Sequence, residues 1–272
     1  MTDLQNKVKK AVQDVKGTKP LAGSITNDIT INFVANAQLA CGGSAAMFYL
    51  ADEGEAIVTM GGGAYLNMGA LLPVHKESMP VVAKACCEQG KTCVVDPVAL
   101  GIGALRSEIM AELKEYKPKI IRGNASEIIT LANFWALDEG RKSGNAKGVD
   151  TTETVDDALE AAVLVAKYTG GAVAISGEKD FITDGERQIR LSGGSALMEK
   201  VTGCGCSLGG VMATYGCVTD PFTAAVAASA LYNLAGSRAG QKVKGPGNFY
   251  AQFLDEIYLA TPDEIAQAVT EQ

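Results

Sequence analysis

The segment best equipped for chemistry is Val201-Thr202-Gly203-Cys204-Gly205-Cys206-Ser207-Leu208-Gly209-Gly210. A strand-like run there leads into a glycine-rich turn that opens a helix. Such a turn presents several backbone N–H groups, and the helix N-terminus adds partial positive charge, so together they form an anion site. Gly203 and Gly205 remove side chains that would block the close approach of a phosphate. Cys206 falls in the first helical turn, where a thiolate is stabilised and the thiol pKa is expected to drop. The same residues also read as a strand-to-helix turn whose glycines serve packing, with Cys206 as a small buried side chain. Zinc is not indicated by Cys204 and Cys206, because His75 is the only histidine and no further ligands stand at matching spacing.

Five other segments carry candidate groups. Ile120–Glu127 delivers Arg122 at a strand end, where its fork of donors can reach phosphate oxygens. Asn124 suits a helix N-cap. Glu127 either holds a metal through water or closes a capping box with Asn124. Val94–Val98 places Asp96 at another strand end. That position suits Mg²⁺, which takes few carboxylates and several waters, and it equally suits a turn before Pro97. Ser176, within Ile175–Asp180, either bonds a phosphate or belongs to a polar hairpin turn. Thr26–Met47 reads as a loop, a short helix and a second loop containing Asn27, Asp28, Asn32 and Asn36. Met47 either lines an apolar pocket or fills core. Gly61–Gly69 carries Asn67 and Gly69 after a strand-like Ala64–Leu66, as pocket residues or as plain turn chemistry.

These groups need a scaffold, and the hydrophobic spacing predicts one. Helices are expected at Met79–Gln89, stopped by Gly90, and at Leu105–Tyr116, 156–168, 206–217 and 222–239. Strands are expected at Thr92–Val95, Lys119–Arg122 and Ala172–Ile175. Asp184-Gly185 marks a hairpin between Phe181–Thr183 and Gln188–Leu191. This alternation predicts an α/β fold: a three-layer α/β/α sandwich with a mainly parallel sheet. Ligands then collect beyond the carboxyl ends of the strands.

The 272 residues, 47% of them apolar, allow one domain over residues 1–272 with a sizeable core. A net charge of −7 and the lack of a Lys/Arg stripe argue against nucleic acid. Met1–Lys19 is a polar segment with helical spacing rather than a secretory signal, and the seven cysteines are an odd number. Both favour reduced thiols in the cytoplasm. The apolar run Phe222–Ala235 is short for a bilayer and contains Asn233, so it predicts a buried helix and no membrane span.

Taken in order, Asn32–Asn36, Ala45–Met47, Leu66–Gly69, Asp96–Val98, Arg122–Glu127 and Thr202–Cys206 resemble the hydroxyethylthiazole kinases, over about Asn27 to Tyr258. Asn124-x-x-Glu127 and the glycine turn belong to the wider ribokinase-like fold. Cys206 is the narrower mark, because most ribokinase-like enzymes place Asp there. The resemblance implies a ribokinase-like kinase using ATP and Mg²⁺. The acceptor would be the primary alcohol of 4-methyl-5-(2-hydroxyethyl)thiazole, in thiamine synthesis or salvage. It implies a homotrimer with pockets where subunits meet. By the same resemblance Arg122 and Ser176 contact ATP, and Asp96 and Glu127 help place Mg²⁺. Met47 and Gly203 contact the thiazole, with Asn27, Asn67 and Gly69 near it. Cys206 lies nearest the hydroxyl, beside the amides of Gly203, Cys204 and Gly205.

Two departures stand out: Cys204 where Ala is usual, and Ser176 where Thr is usual. The nearest rival is a ribokinase-like kinase for another heterocyclic alcohol, of the hydroxymethylpyrimidine or pyridoxal type. A hydrate-repair enzyme, which normally retains Asp in the turn, and a non-catalytic binding protein are more distant. An oxidoreductase lacks its Gly-x-Gly-x-x-Gly after an N-terminal strand.

Overall fold

The computed structural model describes residues 1–137 and 154–270. The chain opens with α1 (Asp3–Thr18), started by a Thr2–Gln5 capping box and closed by Lys19 in the left-handed region. It continues through β1 (Leu21–Ile25), α2 (Ile31–Ala40), β2 (Ser44–Met47), α3 (Ala51–Met60) and β3 (Gly63–Asn67). Next come α4 (His75–Glu88), β4 (Thr92–Asp96), α5 (Ala104–Leu113), β5 (Ile120–Gly123) and α6 (Ala125–Phe134). The second half holds α7 (Leu159–Thr169), β6 (Ala172–Ile175), β7 (Lys179–Thr183), β8 (Gln188–Ser192), α8 (Cys204–Gly216), α9 (Pro221–Lys242), α10 (Pro246–Leu259) and α11 (Pro262–Gln267).

One sheet organises these elements, in the order β2-β1-β3-β4-β5-β6-β7-β8. The strands from β2 to β6 pair in parallel, whereas β6–β7 and β7–β8 are antiparallel. The central strands are buried along their whole length, as strands covered on both faces must be. Helices α2, α8 and α9 pack on one face and α3, α4, α6 and α7 on the other, each side with its own apolar cluster. This is the predicted three-layer α/β/α architecture. From β1 the chain steps outward to β2 and then returns across β1 to β3. The connections therefore diverge between β1 and β3, which opens a crevice beyond their carboxyl ends.

Several local expectations change. The loop predicted before Met47 contains an edge strand, β2. Ser44-Ala45-Ala46 lacks the branched and aromatic residues that mark strands, and it pairs by backbone with β1 alone. Helix α4 begins four residues before Met79, with Pro80 inside it. Proline normally marks a helix start, so the sequence signal placed the boundary late. No strand precedes the glycine turn; Ala196–Lys200 is a 3₁₀ turn instead. The chain leaves the far sheet edge at β8 and must cross to α8, which packs beneath β1, β3, β4 and β5, so no strand partner is in reach.

The apolar run 222–235 lies in α9, capped by Asp220, whose side chain accepts from the Thr223 N–H, and started by Pro221. Among the described residues no helix is long and apolar enough to cross a membrane. All seven cysteines are free thiols.

Helix α8 lies close to the sheet because it is rich in glycine. A Cβ at Gly209 would overlap the ring of Tyr65 on β3. We expect Gly209→Ala to destabilise the fold by about 1–3 kcal/mol through overpacking, read as a lower midpoint in urea unfolding. An unchanged midpoint would show that the helix and ring separate freely.

Candidate active site

The crevice between β1 and β3 is lined by a linked set of polar side chains. Asn27, just beyond β1, donates through Nδ2 to Oδ1 of Asn67 at 3.3 Å. That oxygen also accepts from the Gly69 N–H at 2.9 Å. A Cβ on Gly69 would stand 2.9 Å from the same oxygen, so the close backbone approach requires glycine. Asn67 Nδ2 donates to the hydroxyl of Tyr65 at 2.7 Å, and its side chain lies near enough to Cys206 to act on the thiol. Both ends of the Asn67 amide are thus engaged, and its orientation is determined.

The second half of the site lies at the ends of β4, β5 and β6. Tyr65 O–H donates to Asp96 Oδ2 at 3.3 Å. Arg122 Nη1 donates to the same oxygen at 3.0 Å, and its Nη2 donates to Ser176 Oγ at 3.0 Å. Asp96 is fully buried and Arg122 is 9% exposed. Burial pushes the Asp96 carboxyl up to about 7, with Arg122 pulling against it and Glu127 adding to the rise. Burial also acts to lower the Arg122 pKa, but the field of Asp96 and Glu127 outweighs it and the guanidinium stays charged. Glu127 forms the capping box with Asn124: Asn124 N–H to Oε2 at 2.8 Å, and Glu127 N–H to Asn124 Oδ1 at 2.9 Å.

Helix α8 closes the site from the other face. Gly203 is its N-cap, at φ +96°, with Thr30 and Phe33 crowding the place of a Cβ. A Cβ on Gly205 would stand 2.8 Å from Arg122 Nη2. The guanidinium therefore lies directly against the helix head, where the first amides have no partner within the helix. Cys204 differs from its neighbours. Its N–H donates to the Val201 carbonyl at 3.4 Å, and its side chain is buried in the core. Met47 also stands apart. It ends edge strand β2, two strands from Asn67, and packs against the cluster on the α2 side. Two surface clefts of about 510 Å³ each lie at the opposite end of the sheet, beside Thr92, Gly171 and Gly216.

A cationic fork under a glycine-headed helix, with a carboxylate and a thiol alongside, is suited to phosphoryl transfer. Comparison with known proteins agrees. The sequence profile of the Hydroxyethylthiazole kinase family matches residues 12–263. The chain belongs to that family. It is 48% identical to a hydroxyethylthiazole kinase of Bifidobacterium adolescentis, across 97% of this chain and 93% of that protein. A hydroxyethylthiazole kinase of Leptospira interrogans is 39% identical over 93% of each chain. The solved structure of the hydroxyethylthiazole kinase protein from Pyrococcus horikoshii superposes with a TM-score of 0.83, at 26% identity over 94% of each chain. A Bacillus subtilis pyridoxal kinase, at 18% identity and a TM-score of 0.56 over 80% of this chain and 91% of that one, shares the ribokinase-like fold.

Within this kinase fold the sequence missed Tyr65, which joins the Asn67 side of the network to the Asp96 side. Its position in a buried apolar strand concealed it; only the glycine at 209, four residues after Gly205 on α8, hinted at a large neighbour. Cys206 also departs from expectation. Burial, helped by Asp96, raises its thiol to about 11, although Arg122 and the Asn67 side chain act to lower it. Desolvation in the crevice opposes a thiolate at this helix N-terminus.

A raised pKa keeps the group protonated until the pH nears it. Alkylation of Cys206 by iodoacetamide, followed by peptide mass spectrometry, should stay slow through pH 8 and accelerate only toward about pH 11. A rate that has reached its plateau by pH 8 would contradict this.

Proposed function

We propose that the chain transfers the γ-phosphoryl group of ATP to the primary alcohol of 4-methyl-5-(2-hydroxyethyl)thiazole, as a step of thiamine synthesis or salvage. The observation that carries this reading is the contact of the Arg122 guanidinium with Gly205 at the head of α8, beside Cys206. It puts fixed positive charge and free amides in one place, next to a group able to face an alcohol. The family supplies the acceptor.

In this reading Arg122, Ser176 and the amides of Gly203, Gly205 and Cys206 receive the phosphates. Arg122 Nε is buried without a partner, a donor that the fold leaves unused. Asn27, Asn67, Gly69 and Gly203 surround the thiazole, with Met47 at the outer rim of the pocket on the edge strand. Phosphoryl transfer passes through a loose transition state, so positioning and charge neutralisation matter more than a strong base. The Cys206 thiol, protonated near neutral pH, orients the alcohol through its sulfur. The alcohol proton leaves late, to an oxygen of the transferred phosphoryl group and then to water, which keeps base assistance small.

Asp96 Oδ1 is buried without a hydrogen-bond partner, and Glu127 lies close enough to raise the Asp96 pKa. Two carboxylates fit Mg²⁺, which completes its shell with water and phosphate oxygens. Among the described residues no three metal-ligating side chains converge, which suits this water-rich binding. When bound, Mg²⁺ would offset charge on the phosphates.

We further propose a homotrimer with the acceptor pocket at subunit contacts. Exposed Ile29, Leu50 and Leu72 follow Asn27, Met47 and Gly69 in the loops beyond β1, β2 and β3, which supports an apolar wall completed by a neighbour. The continuous sheet supports a single domain, and the free thiols support a reducing, cytoplasmic setting.

The deciding experiment is mass spectrometry of hydroxyethylthiazole incubated with protein, ATP and Mg²⁺, beside hydroxymethylpyrimidine and pyridoxal. We expect the thiazole phosphate as the main product; preferred phosphorylation of another alcohol would reject the acceptor. Arg122→Ala should lower kcat/KM for ATP by about 10²–10³-fold. Cys206→Ala should lower kcat by roughly 100-fold or less. Turnover equal to the parent would remove Cys206 from the reaction.

A further inference from the structure

Asp180 is a buried carboxylate outside the set described so far. It lies on β7 with 8% exposure, and burial pushes its carboxyl up to about 6. Placing an acid so deep is costly unless its oxygens are well partnered. The partners come from two distant elements. Oδ1 accepts from the Gly177 N–H at 3.1 Å. Oδ2 accepts from Nδ2 of Asn233, on α9, at 3.0 Å.

Each partner leads onward. Gly177 follows Ser176, whose hydroxyl accepts from Arg122 and whose N–H donates to the Gly123 carbonyl at 2.9 Å. The backbone carbonyl of Asn233 accepts from the Gly194 N–H at 2.9 Å, and Ser237 Oγ accepts from the same N–H at 2.9 Å. A Cβ on Gly193 would stand 2.9 Å from the Cβ of Asn233, so this bend is pressed onto α9. One carboxylate thereby ties together the hairpin turn after β6, helix α9 and the bend after β8.

A simpler role is a brace for the hairpin turn, since an Asp side chain bonding backbone three residues away is a local way to hold a turn. That role needs neither burial nor Asn233. A serine or an exposed Asp would serve it. The bond to Asn233 spans 53 residues of sequence, and the turn it holds is the one that presents Ser176 to Arg122.

We propose that Asp180 and Asn233 form a positioning clasp for the phosphate donor. They hold the Ser176–Gly177 turn in place, and through Ser176 they set the Arg122 guanidinium against the head of α8. The proposal rests on the reading of Arg122 and Ser176 as ATP contacts. Asp180 and Asn233 act through those residues.

The test exploits the complementarity of the pair. Asn233→Asp sets two carboxylates face to face and breaks the bond, whereas Asp180→Asn keeps one, because a half-turn of the Asn233 amide presents its oxygen to the new side-chain donor. The double exchange D180N/N233D restores one donor and one acceptor. ATP and hydroxyethylthiazole are varied separately in steady-state assays, ADP affinity is measured by calorimetry without acceptor, and melting is recorded for every variant. Loss of this bond should raise KM for ATP and Kd for ADP about tenfold in Asn233→Asp, with KM for the thiazole little changed. The double exchange should recover most of the loss. In a Ser176→Ala background, Asn233→Asp should add little, because both changes act on one path.

A lower melting temperature with parental ADP affinity would reduce Asp180 to a turn brace. Full additivity with Ser176→Ala, or no recovery in the double exchange, would also overturn the clasp. A parent that binds ADP but forms no thiazole phosphate would refute the acceptor instead, and the ADP affinities would still decide the clasp.

Discussion

The buried contact between Asp96 and Arg122 is the interaction on which the rest of the site depends. Two opposite charges meet in the middle of the sheet, at the ends of adjacent strands β4 and β5. Removing such charges from water costs several kcal/mol each, and their attraction offsets that only when the remaining groups find partners. Tyr65 and Ser176 supply those partners on either side. Asp96 Oδ1 and Arg122 Nε are left without any. A pair assembled for stability alone would use them. Left free, they give the pair one acceptor and one donor that the fold itself does not use.

The glycines around this pair have the same cause. Gly205 lets the helix backbone approach the guanidinium, and Gly209 lets it approach the Tyr65 ring. Gly203 turns the chain into the helix through a left-handed conformation that a side chain would strain. Helix α8 therefore sits deeper than an ordinary surface helix, with almost every residue after its first turn buried. That depth brings its amides to the strand ends. It also desolvates Cys206, which explains why its thiol stays protonated despite a favourable helix position.

Much of the scaffold was legible from local pattern. The β4, β5 and β6 strands and the hairpin at Asp184-Gly185 fall where branched runs and turn residues place them. Asn124 and Glu127 form the capping box that their spacing allows, and the bond to Asn124 leaves Glu127 placed at the edge of the Asp96 field. Strand β2 escaped notice because Ser44-Ala45-Ala46 carries no strand signal and depends on β1 for its shape. The 3₁₀ turn before Gly203 escaped because its form depends on the span from β8 back to α8. Tyr65 and Asp180 were illegible as site residues, since a polar tip in an apolar strand has meaning only once its partners are known.

By itself, the sequence determined the α/β alternation, the glycine turn, and the order of acid, arginine and thiol that marks the family. These are local matters: hydrophobic period, backbone freedom at glycine, and residue type. Tertiary structure alone decided that Asp96, Arg122 and Ser176 share one line of hydrogen bonds, that Asn67 links Asn27 and Gly69 to Tyr65, and that burial favours the protonated thiol at Cys206. Strand order and burial set those facts, because distance and dielectric belong to the assembled sheet and not to any segment of it.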